Sequence, residues 1–183
     1  MIERPKKINI PQPKDTKRFK VILLGDAGVG KTQILNQFCH KKFDVKYNST
    51  IAVDYQVKLM NIDQKQIQFN FWDFSGHPEF FEVRNEFYRD ADAVLLVMDI
   101  SLKESMHGLD MWIREAHENG IDESCIVYVV GNKKDKYRAI SEQDGYNWAL
   151  QRKYPYYETS AQDNQGLDQL FKDLGARIIS TQQ

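Results

Sequence analysis

The sequence predicts an α/β protein: a six-stranded, mostly parallel sheet with one antiparallel edge strand and helices on both faces. Three observations carry that expectation. Apolar runs of strand length alternate with segments of helical periodicity along the chain. A glycine-rich loop, Gly25-Asp26-Ala27-Gly28-Val29-Gly30-Lys31-Thr32, joins the first apolar run to the first helix-compatible run. One pair of strands is separated only by a short polar turn, which makes it a hairpin.

The elements follow in order. Phe19 to Leu24 reads as a buried strand. Gln33 to His40 is compatible with a helix, with Ile34, Leu35 and Phe38 as its apolar positions. Val53, Tyr55, Val57 and Leu59 share one face of a strand, and residues 61–65 turn the chain into a second strand carrying Ile67, Phe69 and Phe71. Val94 to Met98 is continuously apolar, as a strand buried on both faces must be. Met106, Leu109, Ile113 and Ala116 recur at helical spacing. Ile126 to Gly131 is another buried strand, and Ser141 with Glu142 and Asp144 opens another helix. A short strand spans Tyr156 to Thr159, and Leu167, Leu170, Leu174 and Ile178 make the last helix amphipathic.

Residues 25–32 fit the phosphate-loop pattern G-x-x-x-x-G-K-[ST], and they lie between a strand and a helix, where that loop works. Glycines let backbone N–H groups turn inward around a phosphate, Lys31 adds charge for the outer phosphates, and the Thr32 hydroxyl can ligate Mg²⁺. The nucleotide-contacting set expected here is Asp26, Ala27, Gly28, Val29, Gly30, Lys31, Thr32 and Gln33. Asn132-Lys133-Lys134-Asp135 follows a second buried strand about a hundred residues later. Guanine presents two adjacent donors that one carboxylate, Asp135, can accept. Adenine would leave that carboxylate unpaired, and this argues against an ATP-dependent kinase. Asn132 is placed to brace the phosphate loop and the Lys133 stem to cover the base. Asp73-Phe74-Ser75-Gly76 closes the Ile67 strand as D-x-x-G, with Asp73 for Mg²⁺ and the Gly76 N–H for a terminal phosphate. Ser160-Ala161-Gln162 follows the short strand, where a backbone N–H can reach a guanine oxygen.

With these four motifs in this order, residues 18–180 resemble the Ras superfamily of small GTPases. The resemblance implies GTP and GDP with Mg²⁺ as ligands. Ser49-Thr50-Ile51-Ala52-Val53-Asp54 looks like a Rab switch I, with Ala52 where Rabs usually carry glycine and Thr50 as the magnesium-sensing threonine. Phe43 matches the aromatic residue beside the guanine. Tyr55, Trp72 and Phe87 match the aromatic triad that Rab effectors read. Residues 76–88, Gly76-His77-Pro78-Glu79-Phe80-Phe81 and onward, are most similar to switch II of the RJL group of Rab-like proteins. By this resemblance Lys31, Thr50, Gly76 and His77 are the catalytic set, and metal ligation falls to Thr32, Thr50 and Asp73. Effectors and regulators would read residues 43–54 and 74–89.

His77 stands where most small GTPases place the glutamine that orients the attacking water. An imidazole is shorter than a glutamine side chain and cannot donate and accept from one amide-like end. The expectation is a switch with slow intrinsic hydrolysis. The alternative is a GTP-stabilised interaction module that rarely hydrolyses, or does so only when a partner orients His77, as translation GTPases use a histidine after D-x-x-G.

The bounds agree. A chain of 183 residues fits one domain with one substantial core, and a net charge of −1 points to no nucleic-acid surface. Residues 1–17, with Pro5, Pro11 and Pro13 among lysines, read as a flexible basic arm, and residues 181–183 as a tail. The two cysteines, Cys39 and Cys125, are far apart, which suits packed thiols, a reducing compartment and a cytoplasmic location. The RJL resemblance adds the basal body, cilium or nucleus. His40, His107 and His117 are scattered and suggest no metal site. No run reaches the roughly 18 apolar residues of a membrane span, and no prenylation cysteine closes the chain. A monomer without a prenyl anchor is expected.

Overall fold

A computed structural model describes residues 16–46 and 48–181. The predicted arm lies outside these residues except for Thr16 and Lys17, and Lys17 already opens the first strand; the predicted tail lies outside except for Thr181. The strands are β1 (Lys17–Leu24), β2 (Val53–Ile62), β3 (Lys65–Phe74), β4 (Ala93–Asp99), β5 (Ile126–Asn132) and β6 (Tyr156–Glu158). The helices are α1 (Lys31–His40), α2 (Phe81–Arg84), α3 (Lys103–Glu118), α4 (Glu142–Gln151) and α5 (Leu167–Thr181), with single 3-10 turns on either side of α2.

The six strands form one sheet in the order β2-β3-β1-β4-β5-β6. Only the β2–β3 pair is antiparallel; β1 pairs in parallel with β3 and β4, β4 with β5, and β5 with β6. The predicted sheet is therefore the observed one. The hairpin is tighter than the expected turn over residues 61–65. Strand pairing continues to Ile62 and Lys65, and only Asp63 and Gln64 turn, both with positive φ (47° and 65°). Two consecutive left-handed residues match the right-handed twist of the flanking strands.

The core lies on both faces of the sheet. Val21 and Leu23 of β1 point toward α1 and α5, where Phe38 and Phe171 stack with ring centroids 3.8 Å apart. Ile22 and Leu24 point the other way, toward Leu109, Trp112 and Ala116 of α3 and Ala149 of α4. Period-two alternation sorts each strand's side chains between these halves. At the edge the rule takes a different form. Tyr55, Val57 and Leu59 share a face as expected, but it is the outward one, and each is 42–51% exposed. Ser141 caps α4, its hydroxyl accepting from the Asp144 N–H at 3.0 Å. Cys39 and Cys125 are free, half-buried thiols, and burial pushes them up to about 11 and about 12. No helix among the described residues is long and apolar enough to cross a membrane.

Candidate functional site

Parallel strands deliver their following loops to one edge of the sheet, and ligands of open α/β sheets bind there, next to the point where strand order reverses. In this chain the reversal is at β1, flanked by β3 and β4. The loops after β1, β3, β5 and β6, together with residues 43–50, enclose a cavity of about 320 Å³. Its lining includes Ala27, Gly28, Gly30, Lys31, Thr32 and Gln33 from the phosphate loop and the start of α1. Phe43 and Thr50, Gly76 and His77, Asn132, Lys133 and Asp135, and Ala161 and Gln162 complete the predicted members.

The phosphate loop is held by the loop after β5. Asn132 Nδ2 donates to the Val29 carbonyl at 3.0 Å, and the Asn132 oxygen accepts from Thr159 Oγ1 at 3.1 Å. Gly30 has φ 101°, and a Cβ there would lie 2.4 Å from Asn132 Nδ2, so this crossing requires glycine. Lys133 Nζ donates to the Gly28 carbonyl and to Asp99 Oδ2, both at 2.6 Å. Burial drives the Asp99 carboxyl up, yet hydrogen bonds from Lys133 and Ser101 outweigh it and hold Asp99 below the ordinary carboxylate range.

Lys31 lies only 6% exposed, its ammonium donating to the carbonyls of Gly25 at 2.6 Å and Asp26 at 2.9 Å. Burial lowers it to about 8, against the opposing charges of Asp73 and Asp26. Asp73 is fully buried at the end of β3, and burial raises its carboxyl despite the Thr32 hydrogen bond and the Lys31 charge. Asp73 Oδ2 accepts from Thr32 and, at 3.3 Å, from Thr50, and the two threonine hydroxyls are 2.8 Å apart. Asp73 Oδ1 is buried without a hydrogen-bond partner. An orphaned carboxylate oxygen beside two hydroxyls is the donor set a hard divalent cation takes, so these residues fit Mg²⁺.

Four predicted residues lie off the lining. The Asp26 side chain turns away to accept from Trp112 Nε1 at 2.7 Å, leaving only its backbone to the loop. Val29 packs into the core beneath the loop. Asp73 sits behind Thr32 and Thr50. Ser160 is buried and donates to Asp135 Oδ1 at 2.6 Å, which orients that carboxylate. Conversely, Asp44, Val45, Asn48, Phe74, Ser75 and Lys136 line the cavity without having been singled out. Phe74 and Ser75 are the middle positions of D-x-x-G and Lys136 directly follows Asp135, so motif adjacency could have found them. Asp44, Val45 and Asn48 fall within residues 43–54, assigned by the resemblance to partners and not to the nucleotide. Glu115, which pairs with Arg84 of the switch II segment, carries no sequence signal.

A profile described as the Ras family matches residues 20–180. Among curated proteins, DnaJ homolog subfamily C member 27 of Rattus norvegicus is 40% identical over 180 residues, covering 93% of this chain and 66% of its own length. The Homo sapiens protein of that name is 39% identical over the same span, and that of Danio rerio is 42% identical over 171 residues, covering 63% of its own length. The chain thus spans slightly less than two thirds of these relatives.

Proposed function

The chain belongs to the Ras family, and from that premise we propose that it binds guanine nucleotide with Mg²⁺ and acts as a Rab-like molecular switch with slow GTP hydrolysis. The observation that carries the proposal is convergence. Segments far apart in sequence, from Ala27 to Gln162, line one cavity, and each offers the group that one part of a nucleotide needs. The loop N–H groups and the Lys31 ammonium take phosphates. Asp135, oriented by Ser160, takes the two guanine donors. Mg²⁺, held by Thr32, Thr50 and Asp73, would supply charge neutralisation at the phosphate oxygens. Thr50 and the Gly76 N–H answer to the third phosphate, so its loss relaxes the loops that carry them. Proteins that tell the two states apart would dock on residues 43–54 and 74–89.

Nucleotide identity is the first test. Chromatography of the ligand released from freshly purified protein should show GDP or GTP. Asp135→Asn should shift preference toward xanthine, whose C2 carbonyl an amide can meet as donor. Retained preference for guanine would remove Asp135 as the reader of the base. The slow rate is tested separately. His77 lines the cavity, yet an imidazole places a water in line with the leaving phosphate only in one tautomer and rotamer. Single-turnover hydrolysis should run below roughly 10⁻⁴ s⁻¹ and change little in His77→Ala. A fast wild-type rate abolished by that substitution would make His77 the active water-positioning group instead.

A further inference from the structure

We infer that Trp112 and Gly108 of α3 are positioning residues for the phosphate loop: together they seat the Asp26 carboxylate off the cavity, so that a loop carrying its own negative charge can hold a polyphosphate. This deepens the nucleotide reading above and rests on it.

Asp26 and Lys31 are the only charged residues in the loop, residues 25–32. A carboxylate turned toward bound phosphates would oppose them, because like charges at close range disfavour each other. The structure turns it elsewhere. Ala27 and Gly28 line the cavity and Asp26 does not. Trp112 Nε1 donates to Asp26 Oδ1 at 2.7 Å, from an indole only 6% exposed. An indole has one donor and no acceptor, so burying it requires a partner, and a carboxylate makes the stronger, charge-assisted kind of bond. Gly108, one helical turn before Trp112, supplies the space. A Cβ there would lie 2.9 Å from both Asp26 oxygens and 3.2 Å from the carbon that bears them. Glycine inside a helix weakens it, and here it removes the atom that would displace the carboxylate.

The seat also bears on the phosphate's cation. The Asp26 carbonyl accepts from Lys31 Nζ at 2.9 Å, so one residue meets Trp112 with its side chain and Lys31 with its backbone. The Trp112 ring centroid is 6.0 Å from the same ammonium. Unseating the carboxylate would free the Asp26 backbone to turn, and would set a second anion in competition with the phosphates for Lys31. The phosphates beyond the first, which Lys31 serves, would feel this most.

Affinities of the full chain for GDP and for GMP, measured by competition against a fluorescent GDP at one salt concentration, test this. Trp112→Phe keeps the aromatic packing and loses the donor. It should weaken GDP binding about tenfold or more and GMP binding by less than about threefold. Asp26→Asn keeps an acceptor oxygen but not the charge. In that background Trp112→Phe should weaken GDP binding by less than about threefold. Gly108→Ala, which favours the helix, should reproduce both results by crowding the carboxylate instead of removing its donor. A Trp112→Phe protein that binds GDP within about twofold of wild type overturns the proposal. So does a loss of equal size in the Asp26→Asn background, because the seat would then shape the loop without sparing it a charge. If Trp112→Phe does not fold, Gly108→Ala decides by the same two comparisons. Failure of the underlying reading looks different: the wild-type chain itself binds neither fluorescent GDP nor GMP.

Discussion

Lys31 begins α1 with its ammonium buried against two loop carbonyls, and burial sets it at about 8 rather than its ordinary 10.5. The sign of the consequence follows from linkage. With the folded value below the unfolded one, the unfolded chain binds more protons between about pH 8 and pH 10.5, so stability rises with pH across that window. Stability is fully present above 10.5 and is lost as pH falls through about 8. A phosphate oxygen beside the ammonium favours the charged form, so binding above about pH 8 must take up a proton. GDP affinity should be flat below about pH 7 and then fall toward tenfold per unit from about pH 8 upward. Titration with a fluorescent GDP between about pH 6.5 and about pH 9 reads this directly. A profile that rises over that range would remove Lys31 as the phosphate's cation.

Switch I is the element where backbone conformation carries the most information. Ala52 has φ 57°, and its carbonyl accepts from the Ser75 N–H at 2.9 Å, which pins the loop to the end of β3. A left-handed non-glycine residue costs about 1–2 kcal/mol, and a glycine there would lose roughly 0.5–1 kcal/mol of that relief to unfolded-chain entropy. Ala52→Gly should therefore stabilise the GDP-bound protein by about 0.5–1 kcal/mol, or roughly 1–4 °C in midpoint. Thermal unfolding at saturating GDP measures it, and a lower midpoint would show that the methyl group makes a contact worth more than the strain. The edge strand β2 illustrates a related limit. Alternation alone places Tyr55, Val57 and Leu59 on one face, but no helix covers that face. Tyr55 packs on Trp72 with centroids 5.1 Å apart, and Trp72 on Phe87 at 5.0 Å, so a partly exposed aromatic row runs from β2 to switch II.

At the scale of the molecule, the sheet acts as a rigid plate that brings distant loops to one edge. Two core halves press helices onto it, and the central strands β4 and β5 are buried along their whole length. Side chains from neighbouring elements brace two of these loops. Asn132 and Lys133 hold the phosphate loop from the end of β5, and Arg84 pairs with Glu115 of α3.

Much of this was legible in the chain. The strands and the edge hairpin followed from alternating patterns and one short polar turn, because periodicity is set by neighbours in sequence. The phosphate loop, Asp73, Asp135 and Ser160 were found because each belongs to a short motif at the end of a strand. What sequence alone determined was the set of strands and the chemistry carried by the loops that follow them. Tertiary structure alone decided which side chains of those loops face the cavity: Asp26 turns to Trp112, 86 positions away, and Ser160 serves Asp135 from behind. It also decided that Arg84 meets Glu115 across 31 positions. Contacts of that kind depend on how α3 packs against the sheet, and no local pattern encodes a distance through the core.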